Sequence, residues 1–203
     1  MAKHKREHRD RGLALIEMRK ALARRIAAHA RSEGEHPTAV GGLVLFRHTA
    51  PSACYWTTCE PSLTMFAQGR KLINLGGTEY LFDGSSFLVS SIDVPIQSQI
   101  LEASEAAPLL SMRLRLDMSA VQEVLSREDL PEPEGSSQQR ALAVGETTVG
   151  LLGACSRLLE LLDTPEDIAF LSPLIQREIA YRILRTPPGA RLRAIATRGD
   201  LSN

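Results

Sequence analysis

Leu109-Leu110-Ser111-Met112-Arg113-Leu114-Arg115-Leu116-Asp117 alternates with a period of two: Leu110, Met112, Leu114 and Leu116 on one side, Ser111, Arg113, Arg115 and Asp117 on the other. Only an extended strand sends successive side chains to opposite faces, so this stretch reads as a β-strand with one buried face and one wet face. Upstream, short apolar runs of the same texture recur. Leu43 to His48, Leu63 to Ala67, Leu72 to Leu75, Glu79 to Phe82, Phe87 to Ser91 and Ile96 to Leu101 read as strands. Gln68-Gly69-Arg70, Gly76-Gly77, Asp83-Gly84 and Asp93-Val94-Pro95 punctuate them as turns. Many short strands with brief turns call for a sandwich or barrel.

Outside this block the period becomes helical. Leu15, Met18, Leu22 and Ile26 recur at spacings of three and four among Arg19, Lys20, Arg24 and Arg25, so Leu13 to Ala30 reads as a basic helix. Its cations leave two readings: a surface for DNA or a partner, or a solvated helix with one face on the body. Ser32-Glu33-Gly34-Glu35-His36-Pro37 breaks it. Downstream, a helix covers about Ser119 to Ser126, and Pro131 to Ser137 forms a polar loop. Leu151, Leu152, Cys155, Leu158, Leu159 and Leu162 make a stripe on a helix from Thr147 to Asp163. Thr164-Pro165 and Ser172-Pro173 each look like a cap followed by a first-turn proline. The tail from Ala190 to Asn203 has no core of its own. The expected fold is mixed α+β: a basic helix and arm (1–37), strands (38–118), a helical hairpin (119–189) and a tail (190–203).

Composition narrows the function. The 203-residue chain carries 24 Lys/Arg and 24 Asp/Glu, which argues against a protein that coats nucleic acid or membrane over its whole surface. The balance is uneven, with a basic leading segment and a mildly acidic body. No apolar run approaches the roughly 18 residues of a membrane span, and no signal-peptide pattern follows the charged start. Three cysteines, Cys54, Cys59 and Cys155, suit reduced thiols in a cytoplasmic protein.

Little chemistry is encoded. A catalytic metal in a barrel needs about three converging His or carboxylate ligands, and the strand region holds one histidine, His48. No metal or other cofactor is expected. No Gly-x-Ser-x-Gly elbow or phosphate loop occurs either. Cys54 and Cys59, five apart, face opposite sides of any regular strand; they are structural thiols or a thiol sensor. Trp56, with Met65, Gln68 and Tyr80, either surrounds an effector pocket or fills a barrel. The stripe Leu151, Leu152, Cys155, Leu158, Leu159 and Leu162 is wider than one covering helix needs. It is a homodimer interface or the inside of an intrachain hairpin.

Several segments together resemble the amino-terminal domain family of AraC-type transcriptional regulators. They are Pro61-Ser62-Leu63 leading to Gln68-Gly69-Arg70-Lys71, Tyr80-Leu81-Phe82-Asp83, Ser91-Ile92-Asp93-Val94-Pro95, Glu102-Ala103-Ser104 and Pro108. In the helical part they are Leu161 to Asp167 and Arg177 to Leu184. The resemblance runs from about Leu43 to Ala196. It implies a cupin-like β-barrel that receives a small effector, helices that pair two subunits, and no enzymatic activity. It further implies that DNA is reached only through a helix-turn-helix domain, which this chain, ending at Asn203, is expected to lack. A cupin-type enzyme, and an interaction protein that pairs with full-length regulators, are the alternatives.

Overall fold

A computed structural model describes residues 2–127 and 141–200, with side chains for 12–127 and 141–197; the loop expected at Pro131 to Ser137 lies outside the described residues. Five α-helices are present among the described residues: α1 Ala2–His29, α2 Met118–Arg127, α3 Val149–Glu160, α4 Ile168–Leu184 and α5 Ala190–Asp200. The first five strands are β1 Gly34–Pro37, β2 Leu43–His48, β3 Tyr55–Cys59, β4 Ser62–Gln68 and β5 Arg70–Leu75. The others are β6 Thr78–Phe82, β7 Ser86–Ser90, β8 Val94–Glu102, β9 Leu109–Arg115 and β10 Leu142–Glu146.

The strands form two antiparallel sheets, ordered β1-β2-β9-β4-β7-β10 and β3-β8-β5-β6. No strand pairing joins them among the described residues, so the expected barrel is not closed; the sheets face each other as two layers. Gly69 is the pivot at which the chain leaves the first sheet and enters the second. Its φ is +82°, and a Cβ there would stand 2.8 Å from the Glu102 carbonyl and from Leu109, so only glycine passes.

Alternation gives the six-stranded sheet two separate roles. Leu43, Leu45, Leu63, Met65, Met112 and Leu114 point to one side, into the core under the helices. Thr64, Phe66, Leu88, Ser111 and Arg113 point the other way, toward the second sheet. The face of β9 expected to be wet is so only at its end: Arg115 and Asp117 are exposed, but Ser111 is buried and Arg113 keeps only a quarter of its side-chain surface. The second apolar cluster, with Phe66, Leu88, Ile73, Phe82, Ile96 and Ile100, fills the gap between the sheets.

Three strands, β1, β3 and β10, have no counterpart among those read from the sequence; β3 is an edge strand paired with β8. β1, expected to be a chain break, pairs with β2 along Gly34 to Pro37 as an edge strand, where proline is tolerated. β10 completes the six-stranded sheet on β7, and Gly145 within it leaves room for the Phe87 ring, which a Cβ would meet at 2.4 Å.

The helical layer differs as well. α3 begins at an N-cap, with the Leu151 backbone N–H donating to Thr148 Oγ1. Thr164 makes no side-chain cap, and Pro165–Asp167 is one 3-10 turn leading straight into α4. Ser172-Pro173 starts no helix, because α4 runs through Pro173. The tail is a helix whose Leu192 and Ala196 are buried in the main core. Most consequentially, Leu151, Leu152, Cys155, Leu158 and Leu159 are all at most 1% exposed within the single chain. α1 and α4 close over α3 from two sides. The stripe looked too wide because α1, over 120 residues earlier, supplies the second cover. These five side chains offer no surface to a partner; Leu162 is half-buried at the edge of the same core.

Candidate ligand site between the sheets

A cavity of about 280 Å³ opens between the two sheets. Its floor is apolar, built by Phe46 of β2, Phe66 of β4, Ile73 of β5, Leu88 of β7 and Ile96 of β8. Thr64, Ser111 and the Cys59 thiol add polar atoms to the wall. Two cations enter it from opposite sheets. Lys71, on β5, donates from Nζ to the Tyr55 hydroxyl at 3.2 Å and stands 5.7 Å from that ring's centre. Arg113, on β9, lies over the Phe46 ring at 5.2 Å and approaches Glu60 only to 3.6 Å.

Glu35 and His48 stand at the rim. His48 is already engaged: its Nδ1 lies 2.7 Å from Glu33, which also accepts from the Thr49 backbone N–H and hydroxyl. Burial pulls the Glu33 carboxyl upward, and these hydrogen bonds outweigh it, so the group titrates below the usual carboxylate range. Burial raises the Cys59 thiol; Ser90 and Ser62 hydrogen bonds and the Arg113 and Lys71 charges counter only part of this.

The residues expected around a pocket are dispersed. Met65 points to the opposite side of the sheet, into the helical core, opposite Met112. Trp56 lies on the outer face of β3 and is 70% exposed. Gln68 donates to the Pro108 carbonyl at 2.9 Å and lines a second, open groove of about 730 Å³ beside α1. Tyr80 faces the gap between the sheets opposite Ile73 but packs on the apolar cluster beyond the cavity walls. Residue type alone did not separate the positions, since Phe46, Tyr55 and Phe66 line the cavity and Trp56 does not. The informative signal was the parity of Ser111 and Arg113 on a strand whose partner positions are all leucine or methionine. Cys54 and Cys59 are both free, Cys54 exposed in the loop before β3 and Cys59 in the cavity wall.

Residues 39–191 match the family described as AraC-type transcriptional regulator N-terminus. The chain belongs to this family. The match spans the strands from β2 onward and the helices through α4, so every residue lining the cavity except Glu35 lies within this family of transcriptional regulators. No curated protein sequence matches the chain. Among solved structures, apo ToxT K231A of Vibrio cholerae strain SCE256 is similar, with 8% identity and a TM-score of 0.50. The alignment covers 76% of this chain and 58% of that one. Wild-type ToxT of the same strain, bound to an unsaturated fatty acid, aligns at 9% identity over 80% of this chain and 63% of that one, TM-score 0.46. The AraC-like transcriptional activator CuxR aligns at 11% identity over 79% and 60%, TM-score 0.40. The chain thus spans less than two thirds of these regulators. Among the described residues, no three His, Cys, Asp or Glu side chains come together to hold a metal ion. No described helix is long and apolar enough to cross a membrane.

Proposed function

We propose that the chain is the effector-sensing part of an AraC-type regulator, and that its effector binds between the two sheets. The observation that carries this reading is the cavity itself. It combines an apolar floor with a few inward polar groups, the usual make-up of a small-molecule site. In this reading the sheets act as the halves of a cupin-like barrel. Such a site signals only if its ligand has different affinities for two arrangements of the protein. β3, whose Tyr55 and Thr57 border the cavity, and β1, whose Glu35 stands at its rim, are the edge strands a ligand would bias. DNA contact belongs to a helix-turn-helix domain elsewhere in the regulator, in the cytoplasm.

Homodimerisation remains part of the proposal, with the contact moved. Because the α3 stripe is closed, the contact is placed on α4, where Phe170 is 75%, Leu174 47% and Leu171 36% exposed; α1 exposes Leu13 and Ile16 as well, but neither to the extent of Phe170. Phe170 and Leu174 are four residues apart, on one face.

A thermal-shift screen of small metabolites, aldehydes and aromatic acids tests the effector reading, run on the wild type and on Thr64→Trp. The substitution puts an indole into the cavity. A ligand at a hundred times its Kd stabilises by about 2.7 kcal/mol, several degrees for a domain of this size. At least one compound should raise the melting temperature of the wild type and leave that of Thr64→Trp unmoved. Equal shifts in both proteins, or none in the wild type, would refute the reading. Ser111→Phe serves as a second blocking variant.

A further inference from the structure

The cavity's two cations are not matched by acids of its own. Lys71 has no carboxylate partner among the described residues; its hydrogen bond goes to a neutral phenol. Arg113 meets Glu60 at 3.6 Å, beyond a good hydrogen bond, and Glu60 is not part of the cavity wall. The single wall carboxylate, Glu35, is exposed at the rim. His48 is held by Glu33. A cation in a confined apolar setting is costly unless an anion meets it, and here two approach one cavity from facing sheets.

A second, independent feature lies on the same face. The Ser98 hydroxyl is buried and has no hydrogen-bond partner among the described residues. Ser98 pairs directly with Tyr55 on one side and Ile73 on the other, both cavity residues. Paired residues share a face, so this orphan donor sits on the cavity side of β8. Buried polar groups without partners are rare in folded proteins and call for an explanation.

We propose that the ligand of this cavity is an organic carboxylate with a compact apolar body, its carboxylate between Lys71 and Arg113 and its body on Phe66, Ile73, Leu88 and Ile96. The proposal rests on the reading of the cavity as the effector site and adds the ligand's chemical class. Arginine supplies a planar fork suited to two carboxylate oxygens, and lysine a mobile point charge facing it. The floor accepts the rest of the molecule but no second charge.

The test uses an isosteric series, 4-butylbenzoate, 4-butylbenzyl alcohol and 4-butylbenzylamine, titrated calorimetrically into the whole chain. The carboxylate should bind at least tenfold more tightly than the alcohol, and the amine should not bind. Lys71→Met and Arg113→Met should each weaken the carboxylate about tenfold and leave the alcohol unchanged. Lys71→Arg and Arg113→Lys, which keep the charge and guard against misfolding, should restore most of the affinity. Thr64→Trp should abolish binding of both. Equal affinity for alcohol and carboxylate, both lost in Thr64→Trp, would overturn the carboxylate assignment and leave the effector cavity standing. So would failure of the carboxylate while another compound still stabilises only the unblocked protein. No Thr64→Trp-sensitive binding by any compound would overturn both.

Discussion

Phe66 of β4 and Phe82 of β6 stack with centroids 4.9 Å apart and planes inclined by 25°, and they belong to different sheets. The pair fixes the spacing between the layers at one end. Phe66 is also a cavity wall, so the contact that holds the sheets together shapes the ligand site. Phe82 is completely buried. Phe82→Ala should lower stability by about 3–5 kcal/mol, read from urea denaturation, and should weaken any ligand that stabilises the wild type. A loss below about 1 kcal/mol would mean that the sheets are held apart by something else.

The two helical surfaces should respond in opposite ways to substitution. Leu158 is buried within the chain, so Leu158→Ala should lower stability by about 2–5 kcal/mol without changing oligomeric state. Phe170→Asp with Leu174→Asp alters only exposed positions and should leave the subunit folded, with its circular dichroism unchanged. If the chain pairs through α4, light scattering should show the wild type at twice the chain mass and this double variant at once. A wild type that stays monomeric at high concentration would remove the pairing proposal.

Thiol reactivity should follow burial. Cys54 is exposed, Cys59 lies in the cavity wall with its thiol raised by burial, and full burial pushes Cys155 up to about 12. The thiolate is the reactive form. Iodoacetamide at pH 8 should therefore label Cys54 first, Cys59 more slowly, and Cys155 only after unfolding, as mass spectrometry of the peptides would show. Labelling of Cys155 at the rate of Cys54 would contradict the closed α1-α3-α4 core.

Glu178 ties two helices together. It pairs with Arg157 across the α3-α4 interface and with Arg182 at 2.7 Å within α4. Burial pulls its carboxyl upward, but the two guanidinium groups outweigh this and hold it below its ordinary value of 4.5. A carboxyl depressed in the folded state stabilises above its unfolded pKa, and the effect is lost as pH falls through the folded value. Glu178→Gln should therefore cost about 0.5–1.5 kcal/mol at pH 7, a gap constant down to about pH 5 and closing below about pH 4. A gap that persists at pH 3 would assign the effect to packing.

The fold was legible where periodicity was strong. β2 matches its expected limits to the residue, Leu43 to His48, and α1 carries its apolar stripe where Leu15, Met18, Leu22 and Ile26 placed it. Elements set by tertiary pairing were not. β1 looks like a chain break because Gly34 and Pro37 carry no strand propensity; its hydrogen bonds come from β2. β10 is five residues with an internal glycine, whose reason is a phenylalanine nearly 60 residues earlier. The site was legible only in part. The alternation in β9 revealed two faces, but burial of the Ser111 and Arg113 face depends on a second sheet that no local pattern announces. Met65 shows the converse. Its residue type suited a pocket, while its parity, shared with Leu63, sent it under the helices.

The central claim is that the ligand of this chain lies between the sheets. A crystal structure of the chain with the tightest compound from the screen tests it most directly. The account requires ligand density between β4-β9 and β5-β8, with a carboxylate, if the compound has one, against Lys71 and Arg113. Density in the groove beside α1, with the space between the sheets unfilled, would contradict it.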